Sequence, residues 1–378
     1  MKNIAIIGAG ISGLYLANLL EKNSIFSYKI FEKKSSLDLR DGYGIQLSVN
    51  SINLLNKINF QKKMSASDVY HPKKVNFFEA KELKKICDID LDQFNFGNNR
   101  YSTLKRSKLI KFLLSSIPKE KIIFNSDIID IDKREKLNLT FRDNNKVEFD
   151  YLVAADGVYS RTKELLLKKE GLPEYFNSIA LRGIIQNFKT KDISLYLGPN
   201  FHFVIYPTNQ NNDLNFISII RKQLIENEIS NRSLFNNKTF TNQMINLISS
   251  KSNLNLSKIV KKAKCFPIFV SKKIQIPKYK NIFLTGDAFF SFPPSLAQGA
   301  SQSIEAANEL FKHLKENSSN YYKTRVFKTK QINSRSSINH FAFHLENPIS
   351  ISVRNIFLKY LSKNKKFLEA YLGKIYKI

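Results

Sequence analysis

The stretch NIAIIGAGISGLYLANLLEKNSIFSYKIFE, residues 3–32, decides the fold. NIAII is a short apolar run that stops at glycines. Behind it, ISGLYLANLLEK sets Ile11, Leu14, Leu16, Ala17 and Leu20 at helical spacing, and YKIFE returns as a second strand. A strand, a helix and a strand in this order imply parallel strands in a sheet covered on both faces. The turn between the first strand and the helix, Gly8-Ala9-Gly10-Ile11-Ser12-Gly13, has the parts that a dinucleotide pyrophosphate requires. Gly8 permits the tight turn, Gly10 lets the backbone approach the ligand, and Gly13 allows close packing of helix on strand. The helix N-terminus then faces the diphosphate with free amides and a positive dipole end. Glu32 closes the second strand at the spacing of a carboxylate that accepts hydrogen bonds from the adenosine ribose hydroxyls. A ligand-free glycine turn and a solvated strand-end charge are the plainer readings; the two features at the right distance favour the dinucleotide.

Composition sets the outer bounds. A chain of 378 residues suits one large composite domain or two joined intimately. No run approaches the roughly 18 consecutive apolar residues of a spanning helix, and the apolar start breaks at Gly8 without a cleavage pattern, so a soluble protein without a signal is expected. The net charge of +28 raises the question of nucleic acid, but the lysines are spread along almost every segment rather than clustered, and no such partner is expected. Cys87 and Cys265 lie far apart without metal or CxxC spacing, which points to a reducing cytoplasm rather than to a disulfide framework or zinc site.

Further along, DGYGIQL leads into SVNSINLLNKINF, where Ser48 or Asn50 is positioned to cap a short helix. SKLIKFLLSSI is helical in period. IIFNSDIIDIDK, KLNLTFRD and KVEFDYLVAAD read as strands, as do ALRGIIQNF, ISLYLG, FHFVIYP and LNFISIIR. Helical character returns from about Asn227 to Lys262, NIFLTGD is another buried strand, and SQSIEAANELFKHLKE a helix behind it. The stretch ISVRNIFLKYLSKNKKFLEAYLGKIYKI is expected as a last basic, amphipathic helix whose apolar face packs on the body; contact with an anionic membrane surface is the other reading. His340 and His344 stand four apart on an expected helix, but no Glu or third ligand accompanies them, so no metal is expected.

On these motifs the chain resembles the flavoprotein aromatic hydroxylases of the para-hydroxybenzoate hydroxylase superfamily, and most of all its salicylate hydroxylase-like branch, over nearly its full length. DGYGIQLSVNSINLL resembles the family's loop and helix, and Arg106 in LKRSKLIKFL its FAD-holding arginine. VAADGVYSRTK resembles its Asp-Gly motif, with Asp156, Gly157 and Ser160 near flavin and the nicotinamide route. LTGDAFFSFPPSLAQGASQSIEAANEL resembles its Gly-Asp motif, with Asp287 on the flavin ribityl chain and the Pro294–Ala300 loop along the isoalloxazine. Gln298, Gly299 and Ala300 begin a helix whose amides would face the N1/O2 side of reduced flavin.

The resemblance implies an α/β fold: a Rossmann-type FAD-binding domain with an inserted β-sheet substrate domain and C-terminal helices. Residues 1–70, 101–175 and 271–320 would be FAD-binding, 71–100 and 176–270 substrate domain, and 321–378 helical. It further implies FAD as cofactor, NADH or NADPH as cosubstrate, and O₂ adding to the flavin as a C4a-hydroperoxide that hydroxylates an aromatic or other cyclic small molecule. Pro294, His202 and Tyr206 are the candidate catalytic positions and Arg182 a further polar contact; alternation puts His202, Val204 and Tyr206 on one strand face and Phe201, Phe203 and Ile205 on the other. A monomer or homodimer is expected. The match fails at one place: relatives carry Ala-His-Pro after Gly-Asp-Ala, where this chain has Phe289, Phe290 and Ser291. Flavin binding is expected to survive that change and substrate handling to differ. Rival readings are an FAD-dependent reductase or dehydrogenase, a ubiquinone-pathway hydroxylase at a membrane, and a flavin-binding protein that has lost catalysis.

Overall fold

A computed structural model describes residues 1–37, 39, 43–133, 136–316 and 320–376. Asp41 and Gly42, at the head of the DGYGIQL stretch, lie outside the described residues. The nucleotide sheet is wholly parallel, in the order Ile282–Leu284, Tyr151–Ala154, Asn3–Ile7, Ser27–Phe31, Ile122–Ile123. Its two central strands are almost completely buried, as a sheet covered on both faces demands. The helices Ile11–Asn23 and Gly299–Glu316 pack side by side on it, with Leu14, Leu20, Ile304 and Leu310 in one core. Between these strands the chain makes a three-stranded antiparallel sheet from Ile128–Lys133, Leu137–Phe141 and Lys146–Phe149.

The second layer is a seven-stranded sheet in the order Val260–Val270, Glu174–Ile185, Leu214–Arg221, Phe201–Pro207, Ile193–Gly198, Lys74–Glu79, Lys85–Asp90, antiparallel except between the fifth and sixth. One face, with Phe201, Phe203, Ile205 and Phe216, packs on the helix Lys238–Ser249. The opposite face, with Ile193, Leu195 and Val204, meets the C-terminal helices.

Three expectations are corrected. Val260–Val270 is a strand where only helical character to Lys262 is expected; its lysines interrupt the apolar alternation, and Pro267 is tolerated because the strand lies at the sheet edge. The short helix Val49–Asn56 is capped in position by Ser48, but the Ser48 hydroxyl donates to Asn50 Oδ1 instead of accepting a backbone amide. The final stretch is not one helix: Pro348–Leu361 ends, and short turns continue from Asn364. The second part packs as expected, with Leu368, Leu372, Ile375 and Tyr376 buried. The first part packs through Arg354, Leu358 and Leu361 but leaves Ile349, Ile356, Phe357 and Tyr360 exposed. Among the described residues no helix is long and apolar enough to cross a membrane.

Candidate active site

Adjacent parallel strands end at the same edge of the nucleotide sheet, and a motif residue stands just past each end: Asp287 after Ile282–Leu284, Asp156 after Tyr151–Ala154, Gly8 after Asn3–Ile7, and Glu32 after Ser27–Phe31. The carboxyl edge of an open parallel sheet is where such folds bind ligands. A groove of about 620 Å³ runs there, lined by Gly8, Gly10, Glu32, Arg106, Asp156 and Gly157, and continuing past Arg182 and Phe266 to Phe292 and Pro294.

The glycine turn separates packing from ligand approach. Gly8 has φ +105°, and a Cβ there would stand 2.6 Å from Ala155 O; at Gly13 it would stand 2.2 Å from Gly8 O. Both glycines are required by the fold. At Gly10 the nearest atom is Ala155 O at 3.8 Å, an ordinary contact, so nothing in the protein forbids a side chain. Gly10 is also the N-cap of a helix without a side-chain cap. Bare backbone at an uncapped helix start is what a phosphate cradle offers. Glu32 braces it, accepting from Ala9 N at 3.0 Å and Lys34 N at 3.1 Å.

Ile11 and Gly13 do not line the groove, and the Ser12 hydroxyl turns inward to Thr285 Oγ1 at 3.0 Å and Ser303 O at 3.1 Å, tying the first motif to the third. The Asp156 carboxylate is likewise occupied. It accepts from Ser160 Oγ (2.5 Å), Thr162 N (3.0 Å) and Thr162 Oγ1 (2.9 Å), fixing the start of the helix Arg161–Leu167. Burial pushes its pKa up while these bonds pull it down. Arg106 is held beside the groove because its amide donates to Tyr43 O at the end of the Gly44–Leu47/Ser102–Lys105 strand pair. Asp287 is accessible but enclosed by protein on several sides, which raises its pKa to about 6 against the pull of Arg106.

After Asp287, Phe289 and Phe290 are buried with Ala288 and Leu284, and Phe290 stacks at an angle on Phe292. The loop then turns through Pro294–Leu296, and Ala297 takes φ +53°, a conformation unusual for a residue with a side chain. Gln298 is buried with neither amide atom partnered, and a Cβ at Gly299 would meet open space, where the helix Gly299–Glu316 begins. Ala300 packs against the nucleotide core. An orphaned buried amide and an open helix start fit a bound group on this side. These residues thus suit a flavin dinucleotide.

Across Pro294 lies a second cavity of about 540 Å³, between the large sheet and the C-terminal helices. It is apolar, lined by Phe77, Ile193, Leu195, Val204, Leu296 and Phe343, with Gln46, Tyr101, His202 and Ser295 as polar points. The face of strand Phe201–Pro207 that meets it is therefore that of His202 and Val204. His202 Nδ1 and His344 Nε2 are 2.9 Å apart, and His340 packs edge-on against His344 with its Nδ1 3.3 Å from Ser295 Oγ. Burial lowers the pKa of His202 to about 3 and of His340 to about 4, and that of His344 also falls, so all three imidazoles are neutral at neutral pH. Tyr206 is buried beside Gln46 and Tyr101 but does not itself line the cavity, and burial raises its pKa. Arg182 belongs to the groove, with its guanidinium over the Tyr43 ring. Gln46, Tyr101 and the joining of His202 to His344 were not foreseen from the sequence; the two histidines stand 142 positions apart, and no local pattern signals the pair.

Comparisons with known proteins agree with this geometry. A family model described as an FAD binding domain matches residues 1–325. An FAD-dependent monooxygenase of Gibberella moniliformis is 25% identical, covering 81% of this chain and 75% of that protein. The 3-amino-4-hydroxybenzoate 2-monooxygenase of Streptomyces cremeus is 24% identical over 57% of this chain and 56% of its own length. Among solved structures, Klebsiella pneumoniae HpxO with FAD and uric acid superposes with a TM-score of 0.78 at 15% identity, covering 99% of this chain and 96% of that one. A salicylate hydroxylase substrate complex gives 0.77 at 18% identity, covering 100% and 95%. The fold is theirs, and the chain belongs to the FAD binding domain family.

Proposed function

We propose that this FAD-dependent monooxygenase uses NADH or NADPH and O₂ to hydroxylate an uncharged aromatic or other cyclic molecule with an apolar body. The observation that carries this reading is the apolar cavity of about 540 Å³ meeting the cofactor groove at Pro294. Its one charged lining residue among those described, Arg354, is already engaged by Asn355 Oδ1 at 2.9 and 3.1 Å and by Ala342 O. Arg354 also lies beside the Glu79 carboxylate, which offsets its charge, and no other charged residue among those described lines the cavity; burying an unpaired substrate carboxylate there is costly. The aromatic substrate in the name of the Streptomyces relative supports a ring, but that ring is a benzoate with a carboxylate, so the proposed uncharged character rests on the cavity lining alone.

Bound flavin supplies the redox chemistry: two electrons come from the nicotinamide, one oxygen atom of O₂ enters the substrate and the other leaves as water. The chain's own residues bind and orient. Gly8, Gly10 and the helix start at Ile11 hold the pyrophosphate, Glu32 the ribose side, and Asp287, Arg106 and Gln298 the flavin side. In this reading Pro294 forms the wall where ring and flavin meet, and neutral His202, backed by His344, hydrogen-bonds a substrate hydroxyl or carbonyl. Because His202 Nδ1 is engaged by His344 Nε2, His202 Nε2 is the nitrogen left to face a substrate. The apolar lining keeps water from the reacting centre.

The test is NADH and NADPH oxidation in air by the flavin-loaded protein, with phenols and quinone-like compounds in charged and uncharged versions and products identified by mass. Uncharged rings should accelerate oxidation and gain one oxygen. Acceleration only by carboxylated rings would overturn the substrate assignment, and reduction without an oxygenated product would make the protein a reductase.

A further inference from the structure

We propose that the outer face of the helix Pro348–Leu361 docks on an anionic phospholipid bilayer, at the mouth of the apolar cavity. The helix is built to stand at the surface: Pro348 occupies its first turn, and the Asn347 side chain accepts from the amides of Ile349 and Ser350. Ile349, Val353, Ile356, Phe357 and Tyr360 are 75%, 45%, 66%, 60% and 67% exposed. Their spacing of four, three, one and three residues sets them in a stripe about 100° wide along one side. The other side is used inward: Arg354 is buried, and Leu358 and Leu361 line the cavity. Phe357 belongs to both, as an exposed stripe residue that also lines the cavity, and Ile338 on the neighbouring helix does the same at 55% exposure. The mouth is therefore rimmed by apolar side chains that face solvent. Contiguous exposed apolar surface of this kind marks an interaction site.

Charge selects the occupant. Within residues 345–376 the exposed basic residues are Lys359, Lys363, Lys365, Lys366 and Lys374, against Glu346 and Glu369. Lys359 and Lys363 flank the stripe. A second copy of this chain would bring the same lysines against them, on top of a net charge of +28; an anionic bilayer complements both the stripe and its flanks. At 1.5 Å per residue, 14 residues extend only about 21 Å, short of a hydrocarbon core of about 30 Å. The helix would therefore lie in the interface plane, apolar side down. The surface stands independently of which molecule the cavity holds.

Flotation of the full-length, FAD-loaded protein with vesicles of phosphatidylcholine alone, or mixed with phosphatidylglycerol, tests this. Binding is expected to the mixed vesicles and to weaken with salt. Replacing Ile349 and Ile356 together by serine should lower it at least tenfold, and Lys359→Gln with Lys363→Gln roughly tenfold. Thermal melting monitors that these exposed substitutions leave the fold intact. Absence of binding to the mixed vesicles would overturn the proposal, as would equal binding to phosphatidylcholine alone, or serine variants that bind as well as the parent. A parent that elutes as a dimer, dissolved by the serine substitutions, would assign the face to a second copy instead.

Discussion

The cofactor groove and the apolar cavity meet at Pro294, yet they are made in opposite ways. The groove is assembled from short motifs at the ends of neighbouring parallel strands, and much of what it offers is backbone: Gly8, Gly10 and an uncapped helix start. The cavity is assembled from side chains of the large sheet, the Pro294–Ala297 loop and the C-terminal helices. Backbone chemistry needs glycine at fixed spacing and tolerates little change. Side-chain lining needs only volume and polarity, which many residues supply.

That contrast can be broken first at the glycines. Gly13→Ala places a methyl 2.2 Å from the backbone oxygen of Gly8, with the Ile6 and Ala155 side chains at 3.2 and 3.3 Å, so it should destabilise the protein by about 3 kcal/mol or more and abolish bound flavin. Melting temperature and the flavin absorption bands report both. Gly10→Ala should instead keep melting within about 1 kcal/mol of the parent while flavin affinity falls tenfold or more, since its methyl meets only the ligand side. If Gly10→Ala melts like Gly13→Ala, the division between a packing glycine and a ligand glycine is wrong.

The cavity side is sharpened by His202→Leu. Flavin content should be retained, because His202 touches the groove nowhere; stability should fall by about 1–3 kcal/mol, because buried His344 Nε2 is left unpaired, while kcat/KM for the substrate falls about a hundredfold, in the range of a lost polar catalytic contact. Unchanged kcat/KM would remove His202 from the substrate site.

A smaller effect belongs to Asp287. Its pKa in the folded protein is raised to about 6, so folding favours its protonated form, and the contribution to stability is lost as pH rises from about 4 through about 6. Asp287→Asn should therefore not lower the melting temperature of the flavin-free protein at neutral pH, and any rise should be slight because solvent screens this exposed carboxyl. Flavin affinity should move the other way: the ionised carboxylate is the better acceptor for hydroxyls, so the parent binds more tightly above about pH 6 and the Asn variant loses that dependence. A parent affinity flat from acid to neutral pH would contradict the role given to Asp287.

Legibility in the sequence divides along the same line. Gly8 to Gly13 and Glu32 were readable because each is a local pattern with a local physical cause, whereas the Asp-Gly at Asp156 and the Gly-Asp at Asp287 were readable only through the family resemblance. The strand Phe201–Pro207 was readable as two faces, but which face bounds the cavity depends on the C-terminal helices laid against it. Val260–Val270 stayed hidden because lysines break its pattern. The side chains of Ser12 and Asp156 also hold the fold together, a role that spacing cannot distinguish from holding a ligand. The His202–His344 contact and the outward stripe of Pro348–Leu361 arise only from tertiary packing.

The proposed function requires that flavin bound in the groove deliver oxygen to a molecule bound in the cavity. The most direct measurement is turnover under isotopically labelled O₂ with an uncharged ring that accelerates NADH or NADPH oxidation, read by product mass. One labelled oxygen per product molecule is the expected result; rapid nicotinamide oxidation with an unlabelled, unchanged ring would contradict it.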